Sequence, residues 1–115
     1  MSKILIVLSS VRKNRIADTV LERVQTQLTE HDVTVADFKT MPLPFFDAAQ
    51  SPSQDDFAPT DPNVIAWTKM VEEADALVML VAEYNYSFTA VLKNAIDWMA
   101  KPWNDKPVAL IGYGW

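Results

Sequence analysis

Ala76-Leu77-Val78-Met79-Leu80-Val81-Ala82 is an unbroken apolar run of seven residues, and it passes directly into Glu83-Tyr84-Asn85-Tyr86-Ser87-Phe88-Thr89. A run this short, with no polar residue at alternate positions, reads as a strand covered on both faces, the habit of parallel sheets. Lys3 to Leu8 (KILIVL) has the same character and ends in Ser9-Ser10, and Pro107 to Ile111 is a further apolar run read as a buried strand. Val33 to Phe38 alternates apolar and polar residues, which suits a more exposed sheet position.

Helical spacing fills the intervals. From about Ile16 to Thr29, Ala17, Val20, Leu21, Val24 and Leu28 recur on one side, with Asp18, Glu22, Arg23 and Gln27 between them. An irregular stretch from Lys39 to Thr60 runs into Asp61-Pro62, an N-cap followed by proline at the first helical position, and five of the seven prolines fall between residues 39 and 62. Val64, Trp67, Val71 and Ala74 mark a second helix, while Leu92, Ala95, Ile96 and Met99 mark a third that ends near Pro102. The order βαβαβαβ predicts one doubly wound α/β domain over residues 1–115, built with right-handed crossovers. Ligands in such sheets bind at the carboxyl ends of the strands beside the topological switch point. Those ends are Ser9–Arg15, Glu83–Ser87 and Gly112–Trp115.

Composition narrows the chemistry. The net charge is −5 and the pI near 4.6, which argues against a nucleic-acid partner, since such binding leaves a basic footprint. Arg12, Lys13 and Arg15 form a local basic cluster sufficient for one phosphate. There is no cysteine and a single histidine, His31, so thiolate and histidine-rich metal sites are excluded and no metal is expected. The N-terminal apolar run stops at residue 8, far short of the roughly 18 residues of a membrane span, and is read as a buried strand of a cytoplasmic protein.

Two loops carry the chemistry. Hydroxyls, backbone N–H groups and a helix start in Ser9-Ser10-Val11-Arg12-Lys13-Asn14-Arg15 suit a phosphate, or else form a solvated helix start with surface arginines. Gly112 and Gly114 are the only glycines, so neither a G-x-G-x-x-G dinucleotide turn nor a P-loop is present. Glu83 to Thr89 offers an aromatic wall with directed polar groups, as a flat heteroaromatic ring requires; the plainer reading has Tyr84, Tyr86 and Phe88 filling a core and Ser87 capping the next helix.

Glu83 to Trp98, EYNYSFTAVLKNAIDW, resembles the E-Y-N-x-S-x-x-x-x-L-K-N-A-I-D-W signature of the NADPH-dependent FMN reductase family, which includes quinone, azo-dye and chromate reductases. Ser10 to Arg15 is similar to its G-S-x-R-x-x-R loop, Met41 to Asp47 to its L-P-L-P-x-F-D loop, and Lys106-Pro107-Val108 to its K-P-V strand start. The resemblance implies a flavodoxin-like three-layer α/β/α fold with strand order 2-1-3-4 and the fifth strand missing from this chain. It implies that Ser10, Arg12 and Arg15 hold the FMN phosphate, with the Ser9 hydroxyl nearby. Glu83, Tyr84, Asn85, Tyr86 and Ser87 would border the isoalloxazine ring, and Tyr113 and Gly114 would complete the pocket. NADPH or NADH would donate electrons and a small molecule (quinone, azo compound, flavin or metal oxyanion) would accept them. The cofactor carries the chemistry, so no catalytic side chain is assigned.

The family also suggests a homo-oligomer, dimer or tetramer. Lys93 and Asp97 match the family but are read as a structural i,i+4 pair, and Trp98 and Trp103 are read as packing or subunit contacts. Ser9 and Ala82 stand where the family usually has glycine and proline, and the family continues beyond the fourth strand, so that strand is expected as an unprotected apolar edge of an incomplete domain. A flavodoxin-like electron carrier is the alternative, against which Arg12 and Arg15 weigh. A receiver-type signalling domain lacks its acidic cluster, because Ser9-Ser10 occupies that position.

Overall fold

A computed structural model describes residues Met1 to Gly114; Trp115, the last residue of the third expected loop, lies outside the described residues. The elements run β1 (Lys3–Leu8), α1 (Ala17–Gln27), β2 (Asp32–Asp37), α2 (Pro62–Glu73), β3 (Ala76–Ala82), α3 (Ala90–Asp97), a short 3-10 turn at Lys101–Trp103, and β4 (Val108–Tyr113). All pairings are parallel, in the order β2-β1-β3-β4. The chain crosses from β2 back over β1 to β3, so the switch point lies between β1 and β3 and opens at their carboxyl ends.

Alternation along β1 divides the core in two. Leu5 and Val7 join Phe38, Trp67, Val71 and Leu92 on the face covered by α2 and α3. Ile6 and Leu8 join Leu80, with Val20, Leu21 and Val24 of α1, on the other. Trp67 is fully buried, edge-on to Phe38 at 5.2 Å, and its indole N–H donates to the Ala95 carbonyl at 2.8 Å, which ties α2 to α3. The Asp61-Pro62 start behaves as its residue types dictate: the Asp61 carboxylate accepts the N–H groups of Asn63 and Val64.

Three expectations change. Helix α3 is capped by Thr89, whose hydroxyl accepts from Leu92 N–H, and Ser87 is left in the preceding turn. Helix α1 ends at Gln27, with Leu28 rather than Thr29 at its margin. Strand β4 runs on to Tyr113 through the register pair Ala82–Tyr113, yet it is not buried: Val108, Leu110 and Ile111 remain 42%, 69% and 38% exposed. It pairs with β3 alone among the described residues, while α1 packs over β1 and β3. The irregular 39–60 stretch is fastened to α3 by Asn94, which accepts from Phe46 N–H and donates to the Pro44 carbonyl, and by Trp98, whose indole N–H reaches the same carbonyl.

Candidate functional site

The loop after β1 begins with two buried serines that serve different neighbours. The Ser9 hydroxyl accepts the Ala82 N–H at 2.8 Å and its carbonyl accepts from the Thr89 hydroxyl at 2.7 Å, so Ser9 joins the ends of β1, β3 and α3. The Ser10 hydroxyl shares a 2.6 Å hydrogen bond with the Tyr84 phenol, linking the two chemistry-bearing loops. Ile16 caps α1 with no side-chain hydrogen bond, so the positive end of that helix opens toward the loop without an acceptor side chain.

The two arginines of this loop part company. Arg12 is exposed at the rim, with no ion pair among the described residues. Arg15 has a side chain only 5% exposed. Its Nη1 donates to the Ser10 carbonyl at 2.7 Å and to Asp37 Oδ1 at 2.8 Å, its Nη2 to Asp37 Oδ2 at 2.7 Å and Asp18 Oδ1 at 3.0 Å, and its Nε to Asp18 Oδ2 at 3.2 Å. Those bonds hold both carboxyls below the ordinary carboxylate range, against the opposing effect of burial, and raise the guanidinium pKa further still.

On the other side of the switch point, Tyr84 and Ser87 exchange both backbone hydrogen bonds, at 2.9 and 3.1 Å, around Asn85 at φ 53° and Tyr86 at φ 70°. Two successive left-handed residues form the mirror-image type of two-residue turn. Tyrosine rarely takes that conformation, which costs of order 1–3 kcal/mol and concentrates at functional sites. The Glu83 carboxylate accepts the Tyr86 N–H at 2.6 Å and steadies the turn, leaving the Tyr86 ring 96% exposed. Glu83 also lies against Gly114: a Cβ at that glycine would stand 3.0 Å from Glu83 Cβ, so no side chain is accommodated without a shift.

Two adjoining clefts result. The smaller, about 120 Å3, is lined by Ser10, Arg12, Arg15 and Ile16 with Tyr84 and Tyr113. The larger, about 650 Å3, runs along Val81, Tyr86, Ser87 and Phe88 to Gly112. Ala82, Glu83, Tyr113 and Gly114 belong to both, so the sites are continuous. The Tyr113 hydroxyl is buried and has no hydrogen-bond partner among the described residues, and burial, reinforced by Tyr84, raises its pKa. A buried donor without an acceptor, beside an uncapped helix start and an exposed arginine, is a place for an anion. The larger volume falls in the range of sites for small organic ligands, about 300–1,000 Å3, and its apolar and aromatic lining suits a planar ring.

Of the residues singled out from sequence, Ser10, Arg12, Arg15, Glu83, Tyr84, Tyr86, Ser87, Tyr113 and Gly114 line these clefts, whereas Ser9 and Asn85 line neither. Asp18, Asp37 and Thr89, to which the sequence pattern assigns no individual role in the site, bond directly to its loops. Asp18 stands three residues beyond Arg15, Asp37 closes the strand beside β1, and Thr89 immediately precedes α3, so spacing and strand order were the available signals.

The family profile described as NADPH-dependent FMN reductase matches residues 2–115. The chain belongs to that family. The NAD(P)H-dependent FMN reductase of Schizosaccharomyces pombe is 30% identical, over 97% of this chain and 58% of its own length, and that of Saccharomyces cerevisiae 28% identical, over 97% and 65%. The solved structure of FerB, a flavoenzyme NAD(P)H:(acceptor) oxidoreductase from Paracoccus denitrificans, superposes with a TM-score of 0.75 at 26% identity, covering 97% of this chain and 60% of that one. The chain thus spans 58–65% of the length of these curated relatives. Among the described residues no helix is long and apolar enough to cross a membrane, and no group of three or more His, Cys, Asp or Glu residues is placed to hold a metal.

Proposed function

We propose that this chain is the FMN-binding part of a NAD(P)H-dependent reductase that passes electrons to a small acceptor of the quinone type. The observation that carries the reading is the continuity of the two clefts through Tyr113 and Gly114, with an unpaired buried hydroxyl at the small end and an aromatic wall at the large end. The phosphate would sit against Arg12, the Tyr113 hydroxyl and the start of α1. The flat ring would lie along Glu83 to Ser87, on the turn that Glu83 braces. Bound FMN supplies the redox chemistry between nicotinamide and acceptor; the protein binds, orients and shields it, and no side chain need act as acid, base or nucleophile. A homodimer or tetramer and a cytoplasmic setting belong to the same reading, and the exposed apolar edge of β4 supports self-association.

Titration of the apoprotein with FMN and with riboflavin tests the assignment. FMN should bind more tightly, and Arg12→Ala should erase most of that preference, by about 1.5–3 kcal/mol for a lost charged hydrogen bond, with riboflavin unaffected. Equal affinities in the parent protein would exclude a phosphate site here. Bleaching of the flavin by NADPH or NADH in stopped flow tests the reductase step.

A further inference from the structure

We infer that Arg15 is a positioning residue which, clamped by Asp37 and Asp18, shapes the anion loop without itself touching the anion. The inference rests on the phosphate reading above and departs from the family resemblance, which makes Arg15 a direct ligand. A guanidinium has five N–H donors. All five are used: two on Asp37, two on Asp18 and one on the Ser10 carbonyl. An oxyanion would find no free hydrogen on this side chain, and the group it would approach carries two carboxylates against one cation.

The clamp is anchored at both ends. Asp37 Oδ1 also accepts the Lys39 N–H at 3.0 Å, which fixes the carboxylate on the turn after β2. Through the Ser10 carbonyl, Arg15 fixes the opposite end, where Ser10 is in turn bonded to Tyr84. The peptide between, Val11 to Asn14, is exposed and bends through a left-handed Asn14 at φ 54°. Held at Ser10 and Arg15, this peptide keeps Arg12 and Asn14 in the wall of the small cleft, so the ordering cost is met before the ligand arrives. A side chain that spans β2, the loop and α1 in this way needs the planar fork of arginine, which lysine cannot replace.

Direct ligation and positioning predict opposite signs. If Arg15 had to leave Asp37 to reach the phosphate, Asp37→Asn would release it and tighten FMN. If Arg15 positions the loop, Asp37→Asn and Arg15→Lys should both weaken FMN about ten- to a hundredfold, as expected for loss of a charged hydrogen bond, and lower the FMN-to-riboflavin affinity ratio. Calorimetric titration of wild-type and variant apoproteins with FMN and riboflavin reads both quantities, and thermal melting reports folding. Should the buried variants fail to fold, Asp18→Asn poses the same question from an exposed position, where FMN affinity should stay level or fall. Tighter FMN binding in Asp37→Asn or Asp18→Asn, or full retention in Arg15→Lys, would overturn the inference while leaving the phosphate site standing. Absence of any FMN preference in the wild type would remove that site and the inference together.

Discussion

Strands β1 and β4 are written in nearly the same alphabet, Ile4-Leu5-Ile6-Val7-Leu8 against Val108-Ala109-Leu110-Ile111, and meet opposite fates. In β1 every residue from Leu5 to Leu8 is at most 1% exposed, whereas Leu110 of β4 is 69% exposed. The difference is in the neighbours. β1 lies between β2 and β3 with helices on both faces, and β4 has one paired edge. An aliphatic run states what a strand is able to bury; the surrounding elements decide how much it does bury. The contrast continues at the ends of the two strands: Arg15 in the loop after β1 is saturated with acceptors, while β4 ends in a tyrosine whose hydroxyl has none among the described residues.

The largest effect should come from truncating each strand in turn. Leu5→Ala should cost about 2–5 kcal/mol, as cavities in closed cores do, and Leu110→Ala no more than about 0.5 kcal/mol, as at surface sites. Chemical denaturation of the two variants as dilute monomers compares them, and equal losses would mean that β4 is covered in the monomer itself.

Acid should then separate the two loops. Because Arg15 holds the folded-state pKa of Asp37 below its unfolded value, the clamp's stabilisation is present above the unfolded carboxylate pKa, about 3.9, and is lost as the pH falls through the folded one. Loss of the charged hydrogen bonds would amount to about 1.5–3 kcal/mol. Thermal melts between neutrality and pH 3 should show Asp37→Asn less acid-sensitive than the parent; parallel curves would mean that the clamp contributes nothing to the titration.

The smallest effect belongs to the end of β4. Tyr113→Phe removes a buried hydroxyl without a partner, so the apoprotein should be unchanged or gain up to about 1 kcal/mol, while FMN binding weakens and riboflavin binding does not. A less stable apoprotein would show that the hydroxyl has an acceptor in solution.

These cases mark how far the sequence could be read. Element order, parallel pairing and the strand ends at which the candidate clefts lie followed from apolar periodicity and the crossover rule, because those depend on residues close in the chain. The saturation of Arg15 did not, since Asp37 lies on a different strand and only the folded sheet sets its carboxylate beside the loop. The Ser9 hydroxyl was expected near the phosphate; burial turns it instead to the Ala82 N–H. Tyr86 was legible as part of an aromatic wall or of a core, but its exposure and left-handed backbone depend on the two-way bonding of Tyr84 and Ser87 around it.

The irregular segment between β2 and α2 owes its order to an economy in chain entropy. Proline at 42, 44, 52 and 59 has already removed much of the freedom that the unfolded chain would otherwise surrender there. A few hydrogen bonds with Asn94 and Trp98 and one from Asn63 to the Pro42 carbonyl, together with the packing of Met41, Leu43 and Phe46, therefore hold a segment without a ladder of its own. Its stiffness is written into the covalent chain before any tertiary contact forms.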